Sequence, residues 1–198
     1  MKRIVFPVIV LMLTVVASVV TADACEKTGE KAGKLLLFQK CDTSLIGMAG
    51  YDSSGCPNVG TGPWPIFSDG NRRGKLEYSL FGEKFAFSFQ GHKLARKTNY
   101  TLIYYPDPWP GTDLICLGKG RTNQGGNIEI HGKKDVGPGL PRDYDANFNA
   151  VSPSGAVGAK IWLVPSSDVQ CTNGARMLNW NPTKYLFEYN LIIYTQTH

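Results

Sequence analysis

The stretch KLEYSLFGEKFAFSFQ, residues 75–90, carries the pattern that decides the fold. Leu76, Tyr78 and Leu80 alternate with Lys75, Glu77 and Ser79, and Phe85, Phe87 and Phe89 alternate with Lys84, Ala86, Ser88 and Gln90. Successive side chains of a strand point to opposite faces, so period-2 alternation means a strand with one buried face. Two such runs around Gly82-Glu83 predict a β-hairpin whose three phenylalanines face one core.

Outward from this hairpin the chain stays β. Upstream, Lys34–Lys40 (KLLLFQK) is a short apolar run that reads as the first strand, followed by a Gly/Ser/Pro-rich loop from Cys41 to Pro65. Downstream, Tyr100–Tyr105 (YTLIYY) is apolar on both faces, which predicts the central strand of a sheet. It must stop at Pro106, because proline cannot donate into a ladder. Leu114–Leu117, Asn127–His131, Lys160–Val164 and Tyr185–Tyr194 are further strand candidates, and Lys133–Gly158 reads as one long excursion. No segment shows a helical stripe of useful length. The 22 glycines and 12 prolines cluster between the apolar runs, as turns of an all-β chain do. The expectation is a two-sheet antiparallel β-sandwich of immunoglobulin-like size with seven or eight strands.

The chain opens with a secretory pattern. Lys2 and Arg3 precede the apolar run Ile4–Val20, and Ala22-Asp23-Ala24 puts small residues where a signal peptidase reads them. Residues 1–24 are therefore expected to be a signal peptide, with residues 25–198 one domain. Within it, 25–63 hold the first strand and the Cys/Gly/Ser-rich loop, and 64–198 hold the sandwich core. An uncleaved anchor is the competing reading, because the apolar run is near the short edge of a membrane span. Cleavage after Ala24 would expose Cys25 as the first residue, which also places it where a bacterial lipoprotein carries its diacylglycerol. Ala22 stands where that pattern prefers a larger aliphatic residue, and Asp23 is an awkward neighbour.

Five cysteines in an exported chain imply pairing with one left over, and Cys25 is the natural odd one. The other four allow three connectivities. Cys41–Cys56 and Cys116–Cys171 are favoured: the first staples the Gly/Ser-rich loop, and the second ties a mid-chain strand to the loop before the last strand. No Cys-x-x-Cys occurs and His92, His131 and His198 are scattered, which argues against a zinc site.

Charge excludes little. Of 21 Lys and Arg and 16 Asp and Glu, the leader removes Lys2, Arg3 and Asp23, leaving a mild basic surplus. Only Asn71-Arg72-Arg73 and Lys133-Lys134 are local clusters, so nucleic acid is not an expected partner, and an acidic surface is compatible.

Residues 74–118 carry G-K-L-E-Y-S-L-F-G, F-x-F-x-F-x-G, Y-T-L-I-Y-Y-P-D-P-W-P-G and L-I-C-L-G. A-K-I-W-L-V and W-N-P-T-x-Y-L-F-E-Y follow near the end. In these motifs the chain resembles a family of secreted prokaryotic β-domains without known activity, over most of residues 64–194. The resemblance implies a single exported domain and brings no catalytic residue.

Two features could carry function. Pro-Trp-Pro occurs at residues 63–65 and again at 108–110. Proline on both sides restricts the backbone and holds the indole in a narrow range of directions. Trp64 and Trp109, with Trp180 in the loop before the last strand, are thus candidate contacts for a sugar ring or an apolar protein surface, with Tyr105 and Asp107 supplying polar contacts. The competing reading makes each indole a plug at one end of the core. The second feature is Asp143, Asp145 and Asn147, oxygen ligands at alternate positions as at the start of a calcium loop. Phe148 and Ser154 stand where an EF-hand needs glycine and glutamate, so calcium is the one cofactor considered, in a looser site or none.

No Gly-x-Ser-x-Gly, His-Glu-x-x-His or phosphate-binding loop is present, and no carboxylate pair among Asp107, Asp113 and Glu129 is singled out. The sequence therefore leads to an exported, non-enzymatic module. It would bind envelope polysaccharide or a protein surface through its loop tryptophans, and meet a membrane only through its N-terminal segment or a lipid on Cys25. A secreted hydrolase of extracellular polymer and a purely structural envelope protein are the alternatives. Intact mass of the exported protein tests the N-terminus: a mass equal to residues 25–198 with two disulfides is expected. Retention of residues 1–24 would refute cleavage.

Overall fold

In the computed structural model the described residues are 32–58, 66, 72–107, 109–142, 146–147 and 156–197, with 146–147 and 156–157 described in backbone only. The chain is all-β, with short 3-10 turns and no longer helix among these residues. Its strands are β1 (Ala32–Phe38), β2 (Arg73–Ser79), β3 (Phe81–Gly82), β4 (Phe85–His92) and β5 (Asn99–Tyr105). They continue as β6 (Ile115–Arg121), β7 (Ile128–Lys134), β8 (Gly139–Leu140), β9 (Ala146–Asn147) and β10 (Ala156–Val157). The last are β11 (Lys160–Pro165), β12 (Val169–Gln170), β13 (Arg176–Met177), β14 (Phe187–Glu188) and β15 (Tyr194–Gln196).

The alternating hairpin is realised as β2 against β4, with Leu76 opposite Phe89 and Tyr78 opposite Phe87. It lies inside a five-stranded antiparallel sheet of order β14-β1-β2-β4-β7. Phe85, Phe87 and Phe89 point inward together and are buried. The second main sheet, β11-β5-β6, has β5 at its centre. One face of β5 sends Tyr100, Leu102 and Tyr104 into the core shared with Leu35, Leu76 and the phenylalanines. The other face sends Ile103 and Tyr105 into a second core with Trp162, Val164, Met177 and Tyr185. That is why YTLIYY has no polar face. Its one side chain that is not apolar or aromatic, Thr101, is buried with its Oγ1 bonded to Ser166 Oγ at 2.8 Å.

The architecture differs from a simple count of seven or eight strands in two antiparallel sheets. Short two- and three-residue ladders supplement the two main sheets, and β3 pairs with β15 in parallel. The run Tyr185–Tyr194 is not one strand. It divides into β14, an isolated bridge at Ile192 and the start of β15, because its residues serve different sheets. Similarly, Gly139–Leu140 of the long excursion adds to β15, while residues 143–145 and 148–155 lie outside the described part.

Glycines let the sheets meet. β6 runs beside β7, and a Cβ on Gly118 would lie 2.7 Å from Ile130 Cγ2. One on Gly120 would lie 2.9 Å from Ile130 Cγ1. At the other edge β14 joins β1 through Phe38–Phe187 and meets β11 through Leu163–Leu186. Cys41 is bonded to Cys56 and Cys116 to Cys171. Both bonds fit an oxidising compartment.

Gly118→Val should cost about 1–3 kcal/mol through overpacking at the β6–β7 seam. Gly132→Ala, whose Cβ would make ordinary contact with Phe87 at 3.4 Å, should stay close to wild type. Chemical denaturation of the two variants checks the contrast.

Candidate functional site

Three of the four tryptophans gather on the outer side of the three-stranded sheet. Trp162 alternates outward from β11 and stacks on Tyr105 of the neighbouring strand, with ring centroids 3.8 Å apart and planes 12° apart. Trp180 leans over Trp162 at 6.2 Å and over Tyr185 at 5.8 Å. Trp109 then meets Trp180 edge to face at 5.5 Å. The series runs from inside to outside: Trp162 is 7% exposed and Trp109 is 47% exposed, with Trp180 between. Leu178, also 47% exposed, lies two residues from Trp180. The outermost ring thus belongs to an aromatic stack rooted in the core.

Local chemistry fixes the two loops that carry the exposed rings. The loop after β5 crosses close over Tyr105, which is possible because residue 111 is glycine with φ +71°. A Cβ there would sit 2.5 Å from the tyrosine ring. The Met177 N–H donates to the Pro110 carbonyl at 2.8 Å and ties this loop to β13. Trp180 is held by a knot around Asp168, a carboxylate only 3% exposed. It accepts from Asn181 Nδ2 at 3.1 Å and from the Tyr185 hydroxyl at 3.0 Å. The same hydroxyl accepts from the Asn181 N–H at 2.9 Å, and its one hydrogen is shared between Asp168 and the Asn179 carbonyl at 2.8 Å. Burial first, and the neighbouring Asp168 charge after it, push the Tyr185 phenol far above its ordinary value. It stays neutral and serves as a fixed donor.

Beneath the stack lies a group of charges. Lys160 forms an ion pair with Asp107 and sits 5.9 Å from the Tyr105 ring centroid. Glu188 and Lys40 are each 5% exposed. Burial raises the Glu188 carboxyl, opposed by the positive charges of Lys40 and Lys160. Burial also lowers the Lys40 ammonium, opposed by Glu188. The Trp162 indole N–H and Glu188 Oε2 are buried and lack a partner within hydrogen-bonding geometry, although the indole dipole still favours the carboxylate charge. This group joins the end of β1, β11, β14 and the loop after β5.

Of the residues predicted from sequence, Trp109 and Trp180 are brought together. Trp64 lies outside the described residues. Tyr105 is 3% exposed and acts as the floor under Trp162, which corrects its assignment as an open polar contact. It shares a strand face with Ile103, and that face is covered. Asp107 is engaged by Lys160. Asp143 and Asp145 are outside the described part, and Asn147 is seen only as backbone paired with Ala156. Among the described residues no cluster of three metal-ligating side chains occurs. Asp113 lies in the loop after β5 and Glu129 on β7 of the other sheet. A shallow groove of about 500 Å³ lies elsewhere, on the outer face of the five-stranded sheet. Alternation aims Glu77, Ser79, Ala86, His131 and Lys133 toward it, and the Tyr78 and Phe87 rings away from it. Trp162 was missed as a site residue because its apolar strand reads only as core.

No family model, no curated protein and no solved structure matches the chain.

Tyr185→Phe removes the hydroxyl that satisfies Asp168 and Asn181. It should cost about 1–3 kcal/mol and shift tryptophan emission to the red as the Trp180 loop loosens. Loss of stability with unchanged emission would show that packing alone places Trp180.

Proposed function

We propose that the protein is an exported binding module that contacts a sugar ring or an apolar protein surface through Trp109, backed by Trp180. The observation that carries this reading is a half-exposed indole braced edge to face by a second indole, itself fixed by the buried Asp168–Tyr185 knot. An exposed aromatic held in place before contact loses little conformational entropy on binding, which is the property a recognition platform needs. Exposed apolar Leu178 extends the same surface. On this reading the two main sheets are the layers of a β-sandwich, and the loops at the platform are its recognition edge. Export through residues 1–24, a surface or extracellular location and kinship with the secreted prokaryotic β-domains belong to the same proposal. Trp64, outside the described residues, is proposed as a further contact from its sequence alone, because it repeats the Pro-Trp-Pro frame.

Binding is favoured over hydrolysis by the state of two carboxylates near the platform, Asp107 and Glu188. Asp107 is ion-paired, and Glu188 is enclosed under Trp162 between two lysines. Neither stands as an open general acid.

Titration of the exported protein with envelope polysaccharides, followed by tryptophan fluorescence, tests the proposal. A saturable change is expected with at least one glycan, and Trp109→Ala should weaken it roughly tenfold or more, as loss of a central aromatic contact does. No spectral response to any glycan, with no protein partner whose binding depends on Trp109, would refute it.

A further inference from the structure

The sequence scatters its basic residues, but the fold gathers one set of them at the end of the molecule where β4 turns into β5. Lys93, Arg96 and Lys97 occupy that turn, and all three are exposed. Lys119 and Arg121 stand opposite Thr101 and Asn99 on the neighbouring strand β6, also exposed. His92 and its partner Arg73 flank the turn on the five-stranded sheet. Segments 91–101 and 115–128 contain no Asp or Glu, and Glu129, opposite Gln90, is the next carboxylate along the chain.

This end is built rather than loose. Thr122 is 3% exposed, and its hydroxyl donates to the Ala95 carbonyl at 2.6 Å while accepting from the Thr98 N–H at 2.8 Å. The Leu94 N–H reaches the Gly126 carbonyl at 3.0 Å, so the 93–98 and 121–127 turns form one frame. Arg121 Nε donates to the Lys97 carbonyl at 3.2 Å, which fixes the guanidinium against the turn. Lys93 and Lys97 both have left-handed backbones, with φ of 59° and 52°. Non-glycine residues rarely adopt that region, and where they do a surrounding structure holds them there.

We infer that this end is a docking surface for an acidic polysaccharide, whose carboxylate or sulfate groups are taken by Arg96, Lys97, Lys119 and Arg121. Like charges held at fixed spacing on a rigid frame repel one another, and an anionic polymer relieves that repulsion while arginine grips its planar or tetrahedral oxygens. Chain direction favours a polymer over lipid headgroups. The segment ahead of the fold enters at Ala32, opposite Ser79, whereas Arg73 and His92 lie at the far end of the same strands. A tether before residue 32 would hold the basic end roughly 20 Å further from a bilayer, at about 3.3 Å per strand residue. The surface is independent of Trp109, since Asn99 and Tyr105 are opposite ends of β5.

Binding of the full exported chain to heparin, a sulfated polysaccharide, at low and moderate salt tests the inference. Arg96→Glu/Lys97→Glu should weaken binding about tenfold and flatten its salt dependence. Lys133→Glu/Lys134→Glu, which changes net charge equally at the other end of β4, should leave affinity within about twofold, as should Trp109→Ala. Thermal midpoints for all three variants show whether each is folded. Equal losses in the two charge-reversal variants would reduce the effect to net charge and overturn the inference. So would loss of heparin binding in Trp109→Ala, or tighter binding to phosphatidylglycerol vesicles than to heparin.

Discussion

Strand β5 is covered on both faces, and the rest of the molecule is arranged to make that possible. Tyr100, Leu102 and Tyr104 need one apolar cover, while Ile103 and Tyr105 need another. The five-stranded sheet supplies the first. The second comes from the chain between β11 and β14, which has little regular structure and folds over the sheet as a lid. Each large side chain buried this way contributes about 1.5–3 kcal/mol, so the lid is held by its apolar contacts and by the Cys116–Cys171 bond. The aromatic platform is a consequence of this second layer. Trp180 is where the lid ends against Trp162, and Trp109 rests on it from the loop that β5 itself feeds.

Irregular cover brings polar backbone into the interior, and the structure meets the cost with specific partners. Asp168 and Tyr185 satisfy the turn after β13, including Asn179 and Asn181. Lys40 and Glu188 are a different case. Buried charges of opposite sign do not stabilise a fold by themselves, because desolvation offsets their attraction. They do penalise any alternative packing that separates them. They lie where β1, β11 and β14 converge.

The all-β character and the hairpin were legible because alternation is a local signal. The double-faced burial of β5 was legible for the same reason: YTLIYY has no polar face to turn to water. What sequence could not show is which face goes where. Tyr105 looked like a platform flank because it precedes Pro-Trp-Pro, yet its parity with Ile103 sends it under Trp162. Trp109 and Trp180 are 71 positions apart in the numbering, and only sheet order brings them together. The basic end was invisible for a similar reason. Residues 93–97 and 119–121 form no charge run, and they meet through the antiparallel pairing of β5 with β6. Tyr185–Tyr194 misled because a continuous apolar run can serve several short ladders as well as one strand.

Native-state amide hydrogen exchange measures the central claim most directly, since it reports how deeply each strand is enclosed. Amides of Leu102, Ile103 and Tyr104 should be the slowest in the protein and should exchange only through global unfolding. Those of β7, with a solvent-facing outer surface, should open earlier. If the β5 amides exchanged through a smaller opening than those of β4, the lid would not be a true second cover, and the platform could not be rigid.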